Sequence, residues 1–247
     1  MGFPVTTTSS KPKRASLPVE FYRSAVGKKW VMAVTGVLII GFALAHMLGN
    51  LKMFLPDVDG VPDIDIYAES LRKLFSPIVP EHVMLWLLRV GLAAAFLLHM
   101  HAAYALTVMN HRARAVDYQS PRNYVAASYA SRTMRWSGVI FLAFIIFHLA
   151  DFTLGIQPAA PEGWEHGRVY ANFLLGFQRP FALAFYTLAV TVLAIHLFHG
   201  AWSMFQSMGI NHPRFNGIRR AFATALAAVL WVGFLLPPYA VAFGFLS

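Results

Sequence analysis

The 247-residue chain contains no cysteine. Disulfides, thiolate catalysis, iron–sulfur ligation and thioether-linked cofactors are therefore excluded for this polypeptide, and any such centre belongs to a partner. Charged residues are also scarce, at 13% of the total. A glycine-rich phosphate loop, a Ser-His-Asp arrangement and a His-Glu-x-x-His zinc motif are all missing, which removes the common motif-borne chemistries of soluble enzymes.

Apolar residues make up 57% of the chain and fall into five long runs, at 30–54, 83–109, 136–156, 181–208 and 221–245. Each is long enough to cross a hydrocarbon core about 30 Å thick at ~1.5 Å of helical rise per residue. The expected fold class is all-α integral membrane, with five transmembrane helices in one domain over 29–247 and an arm over 1–28. Residues 1–18 are rich in Ser, Thr, Pro and basic groups and read as a flexible arm. They do not read as a signal peptide, because the charged region before Ala43-Leu44-Ala45 is too long.

A net charge of +9 raises the question of nucleic acid, but the basic residues alternate with the apolar runs and follow membrane topology instead. Lys11, Lys13, Arg14, Arg23, Lys28 and Lys29 precede the first run, Arg112, Arg114, Arg122, Arg132 and Arg135 follow the second, and Arg214, Arg219 and Arg220 follow the fourth. These segments belong on the cytoplasmic side. The first connection carries Asp57, Asp59, Asp63, Asp65, Glu69 and Glu81, and the third Glu162 and Glu165, so both face outward and the C-terminus lies outside. Ile64, Ile66, Tyr67, Leu71, Leu74 and Phe75 among those charges predict a short amphipathic helix on the outer surface, ended by Pro77 and Pro80.

Each of the first four runs holds a histidine deep in the bilayer, where an ionisable side chain is costly and marks function: His46, His101, His148 and His196. With alternating helix directions, His46 lies ~24 Å and His148 ~18 Å from the inner ends of their helices, while His101 and His196 lie roughly 23–28 Å from the outer ends. The four therefore form two levels, His46 with His148 in the outer half and His101 with His196 in the inner half. Two facing histidines at one depth suit the axial positions of a haem iron, which closes the iron to other ligands and favours electron transfer. The two irons are expected roughly 10–15 Å apart along the membrane normal. His99 stands about 200° from His101 around the helix, and His199 lies on the face next to His196; periodicity does not choose between the members of either couple. Glycine stands ten residues before the histidine in three helices, as Gly36, Gly91 and Gly138, and Tyr186 takes that place in the fourth. Ten residues is ~15 Å of rise, so these glycines are candidates for close approach of the other level's macrocycle.

The runs His46-Met47-Leu48-Gly49-Asn50, His101-Ala102-Ala103-Tyr104, Phe147-His148-Leu149 and His196-Leu197-Phe198-His199-Gly200-Ala201-Trp202-Ser203 together resemble the single-chain, di-haem cytochrome b subunit of bacterial succinate:quinone oxidoreductases. The likeness covers all five runs, with the motifs in the family's order. It implies a four-helix bundle around two b-type haems, with His46 and His148 as outer ligands, His101 and His196 as inner ligands, and His99 and His199 as neighbours. It also implies an FAD-containing flavoprotein and an iron–sulfur subunit as cytoplasmic partners, and a quinone as electron partner, menaquinone ahead of ubiquinone. The location would be the bacterial cytoplasmic membrane, in the respiratory chain and the tricarboxylic acid cycle. Arg89, near the outer haem, is expected to pair with a haem propionate or with Asp151, and Glu69 and Glu81 are candidates for proton delivery to a quinone. Lys28, Lys29, Arg132 and Arg135 stand where inner propionates would emerge. The alternatives are a di-haem anchor of a hydrogenase or formate dehydrogenase, and a transporter, which would carry internal repeats and discontinuous spans.

Overall fold

The computed structural model describes residues 16–113, 129–210 and 212–247, with the backbone alone at 129–133 and 135. Lys11, Lys13, Arg14, Arg114 and Arg122, and the side chains of Arg132 and Arg135, lie outside the described residues. Among the described residues eight α-helices run in order: α1 Leu17–Arg23, α2 Ala25–Asn50, α3 Asp63–Arg72, α4 Val83–Arg112, α5 Tyr129–His148, α6 Val169–Phe177, α7 Pro180–Ser207 and α8 Asn216–Ala242. Five of them are long and apolar enough to cross a membrane: α2, α4, α5 with its continuation to Leu154, α7 and α8. Their exposed side chains are largely apolar, among them Val34, Leu38, Val90, Leu97, Ile146, Leu188 and Val232. Such a surface suits hydrocarbon, and the chain reads as a multi-pass membrane protein.

The helix ends have local causes. Ser24 accepts a hydrogen bond from the Gly27 amide at 2.9 Å and caps the start of α2. Pro180 opens α7, where its fixed φ suits the first turn and its missing N–H is no loss. After His148 the backbone widens into a π-helical turn, Leu149–Leu154, closed by Gly155 in the left-handed region (φ 65°). A side chain at Gly155 would strike the Trp164 ring, so both the conformation and the contact call for glycine.

Residues 1–15 of the segment expected to be a flexible arm lie outside the described residues; α1 begins at Leu17 and packs against α2. Lys28 is buried and donates to the Tyr22 and Arg23 carbonyls at 2.8 Å each, which commits its ammonium to the C-terminus of α1 rather than to the bundle interior.

Helix α2 lies against α4 and α7, and α5 lies against α7. The order α4, α2, α7, α5 sets α2 across from α5, and α4 across from α7. At the end bearing the acidic connections, Met53, Ile64, Phe144, Phe173, Phe177, Tyr186, Ala189 and Val241 form one apolar cluster. The expected amphipathic helix is α3, and its Ile64 is buried in that cluster, so α3 closes the end of the bundle as well as lying on it.

Two further features shape the bundle. The third connection contains α6, whose Phe173 and Phe177 fill the same cluster; its apolar run of nine residues is too short to signal a span. Helix α8 continues through Pro237 and Pro238 to Ala242. Both prolines are buried among Leu235, Ala240 and Val241, and packing of this kind holds a membrane helix together where backbone bonds are lost. α8 also packs into the bundle, where Gly233 fits closely against Met47 of α2 and Phe234 reaches His46.

Candidate functional site

Helices α2 and α5 bring His46 and His148 together, with ring centres 5.8 Å apart and planes at 78°. Aromatic rings surround them: Phe42 and Phe234 beside His46, and Phe144, Phe152 and Tyr186 beside His148. Helices α4 and α7 bring His99 and His196 together, with ring centres 6.4 Å apart and planes at 57°. Two imidazoles sharing one metal through bonds of about 2 Å have ring centres about 6 Å apart, which both pairs approach.

The hydroxyl protons fix which ring nitrogen each histidine turns to its neighbour. Tyr186 Oη lies 3.1 Å from His148 Nδ1 and donates its proton to Asp151 Oδ2 at 3.1 Å. Ser137 Oγ lies 2.9 Å from His196 Nδ1 and donates to Met134 O at 2.8 Å. Thr35 Oγ1 lies 3.2 Å from His99 Nδ1 and donates to Val31 O at 2.7 Å. A hydroxyl has one proton, so each of the three oxygens accepts from the imidazole. The three histidines therefore carry Nδ1–H and keep a lone pair on Nε2, the arrangement that outer hydrogen bonds impose on metal-binding histidines.

These contacts also give the register of the two levels. Thr35 is eleven residues before His46 and touches His99; Ser137 is eleven before His148 and touches His196; Tyr186 is ten before His196 and touches His148. The levels are thus about 15 Å apart by helical rise. Gly36 and Gly138 adjoin two of these hydroxyl residues. A Cβ on Gly36 would lie 3.4 Å from His99 Cε1, whereas one on Gly91 or Gly138 would meet no protein atom within 4 Å.

His101 does not face His196. It is exposed, and Tyr22 Oη lies 2.5 Å from its Nδ1 with the two rings stacked 5.8 Å apart. The rotation of α4 turns His99 inward in its place. His199 Nδ1 and Trp202 Nε1, within two turns of His196 on α7, are buried without a hydrogen-bond partner among the described residues, as is Arg219 Nε on α8.

Asp151, on the π-helical turn, is fully buried. Its partner is Arg179, whose Nη2 donates to Oδ1 at 2.7 Å while Nη1 donates to Ala159 O at 2.6 Å. The expected pairing of Asp151 with Arg89 is not formed: Arg89 is exposed, its guanidinium 5.2 Å from the centre of the Trp86 ring. In the sequence Arg179 counts only as one of the charges of the third connection, although the following Pro180 marks it as the last residue before a helix.

Glu69 forms ion pairs with Arg72 at 2.9 Å and Lys73 at 3.1 Å. Hydrogen bonds from Arg72 and then Lys73 hold its carboxyl below the ordinary carboxylate range, so it stays ionised near neutrality. Glu81 is exposed in the turn before α4.

Among the described residues no three His, Asp or Glu side chains converge on a bare metal ion. Each facing pair instead offers two nitrogens, the set that suits an iron whose remaining donors come from a macrocycle. The aromatic shell at one level and the buried, unpartnered donors near the other also fit a large, largely apolar group with polar substituents. No family model, curated protein or solved structure matches the chain.

Proposed function

We propose that the protein is the membrane-anchoring cytochrome b subunit of a quinone-linked respiratory complex of the succinate:quinone oxidoreductase type, with two bis-histidine haems b. The observation that carries this reading is the two facing imidazole couples, in which the Nδ1–H groups of His99, His196 and His148 are held by hydroxyls, leaving Nε2 as the donor. His46 and His148 would hold the haem at the acidic-loop end, taken as the outer one. His196 would hold the inner haem together with a histidine of α4; the geometry favours His99, while the family resemblance favours His101. Haem b supplies one-electron redox chemistry at a closed iron.

The residues of this chain orient the ligands, exclude water from the bundle and set the distance between the two levels. Thr35, Ser137 and Tyr186 fix the imidazole rotations. Phe42, Phe144, Phe152 and Phe234 line the outer level with apolar surface. Electrons would pass between a cytoplasmic iron–sulfur subunit, which docks with the FAD-bearing flavoprotein, and a membrane quinone, with menaquinone favoured. The charge pattern supports a cytoplasmic N-terminus and an outward C-terminus, and the family resemblance implies the bacterial cytoplasmic membrane. Arg89 remains a candidate for an outer propionate and Glu81 for proton exchange with quinone.

Purification of the complex from native membranes tests this. Co-isolation of a covalent flavoprotein and a cysteine-rich ferredoxin-like protein, with b-type absorption, is the expected result. Isolation of a hydrogenase or formate dehydrogenase would move the protein to a rival class, and no b-type absorption would reject the haem reading.

A further inference from the structure

We propose that Tyr186 and Asp151, backed by Arg179, are positioning residues that act behind His148 and strengthen its imidazole as an electron donor, giving the His46–His148 level an electronic setting that the His99–His196 level lacks. This rests on the bis-histidine reading above.

The links join the end of α5 and its π-helical continuation to α7 and the residue that precedes it. His148 Nδ1–H donates to Tyr186 Oη at 3.1 Å, Tyr186 donates to Asp151 Oδ2 at 3.1 Å, and Arg179 donates to Asp151 Oδ1 at 2.7 Å. Asp151 has no exposed surface and Tyr186 only 6%. A carboxylate buried this deeply is costly unless paired, and Arg179 supplies the pairing at one oxygen. That leaves the second oxygen aimed at the phenol.

The consequence falls on His148. A phenol whose proton is held by an anion is a better acceptor, since successive hydrogen bonds polarise one another in a low-dielectric interior. The Nδ1–H bond is drawn towards Tyr186, and electron density on Nε2 rises. The other level differs in kind: the Ser137 and Thr35 hydroxyls that receive His196 and His99 pass their protons to the neutral backbone carbonyls of Met134 and Val31. Stronger donation favours the more positive iron and so lowers its reduction potential, a recognised effect of hydrogen bonding behind an axial ligand.

The test is a redox titration of the full chain in its membrane complex, followed by b-type absorption, with His148→Ala identifying the haem component that His148 serves. Tyr186→Phe keeps the ring and removes the link. Expected are two retained haems, with the His148 component moved to higher potential and the other unchanged. Unmoved components, or a shift confined to the other component, would overturn the proposal. If Tyr186→Phe loses haem, Asp151→Asn decides, because it keeps the phenol and the side-chain volume: an upward shift of the same component supports the relay, and no shift overturns it. Wild-type membranes without b-type bands, or His148→Ala with both components intact, would instead reject the bis-histidine reading, and the relay with it.

Discussion

Ser137 Oγ, one helical turn after Met134 on α5, receives the Nδ1–H of His196 on α7 at 2.9 Å. Two other contacts repeat the relation from other helices, Thr35 with His99 and Tyr186 with His148. In each, a hydroxyl on a helix that carries a histidine of one level orients a histidine of the other. The two levels are therefore coupled in register, and the loss of one hydroxyl disturbs a ring about 15 Å from its own helix's histidine.

Ser137→Ala is expected to lower stability by about 1 kcal/mol, the usual net worth of one hydrogen bond, without loss of the helical fold. Thermal unfolding in detergent measures this. In the haem-loaded protein the same substitution should move the potential of the inner component and leave the outer one in place.

His99 and His101 give opposite outcomes. His99 faces His196 with ring centres 6.4 Å apart, while His101 is turned to Tyr22. His99→Ala should remove the inner haem and His101→Ala should retain it, as read from haem content per chain. The reverse result would restore His101, the position that the family resemblance implies.

The five spans and the four histidine-bearing helices are legible in the sequence because hydrocarbon makes polar residues expensive, so a histidine there stands out. The ten-residue interval before the histidines is legible too, but two of the residues that touch the other level are Thr35 and Ser137, neighbours of the glycines that draw the eye. Helix rotation is not legible in α4, which is apolar on nearly every face, and so the choice between His99 and His101 needs tertiary contacts. The partner of Asp151 is hidden for a similar reason. Arg89 is nearer in depth by sequence, yet only the fold of the third connection and α6 brings Arg179 to the π-helical turn.

Arg179→Met would leave Asp151 buried without its counter-charge. A loss of about 3–5 kcal/mol is expected, typical of removing one member of a buried pair. The double variant Arg179→Met, Asp151→Leu should recover much of it, because no uncompensated charge remains. A double variant as unstable as the single one would show that the packing of Arg179, not the charge, matters.

Glu69 sets a pH dependence on α3. Its carboxyl is held below the ordinary range in the folded protein, so its contacts with Arg72 and Lys73 stabilise α3 above that range and are lost as the pH falls through the folded value. Backbone amide exchange in α3, after correction for intrinsic rates, should accelerate on the acid side in the wild type and show no such step in Glu69→Gln. Quinone turnover near neutral pH should be the same in both, since a carboxylate that stays ionised is a poor proton carrier there.

The most direct measurement is the haem stoichiometry of the purified full chain with its native partners, read from a reduced-minus-oxidised difference spectrum and extracted haem. Two haems b per chain are expected, one of them lost in either His46→Ala or His148→Ala and the other in His196→Ala. A spectrum without b-type bands, or a single haem that survives both His46→Ala and His148→Ala, would contradict the two-level arrangement.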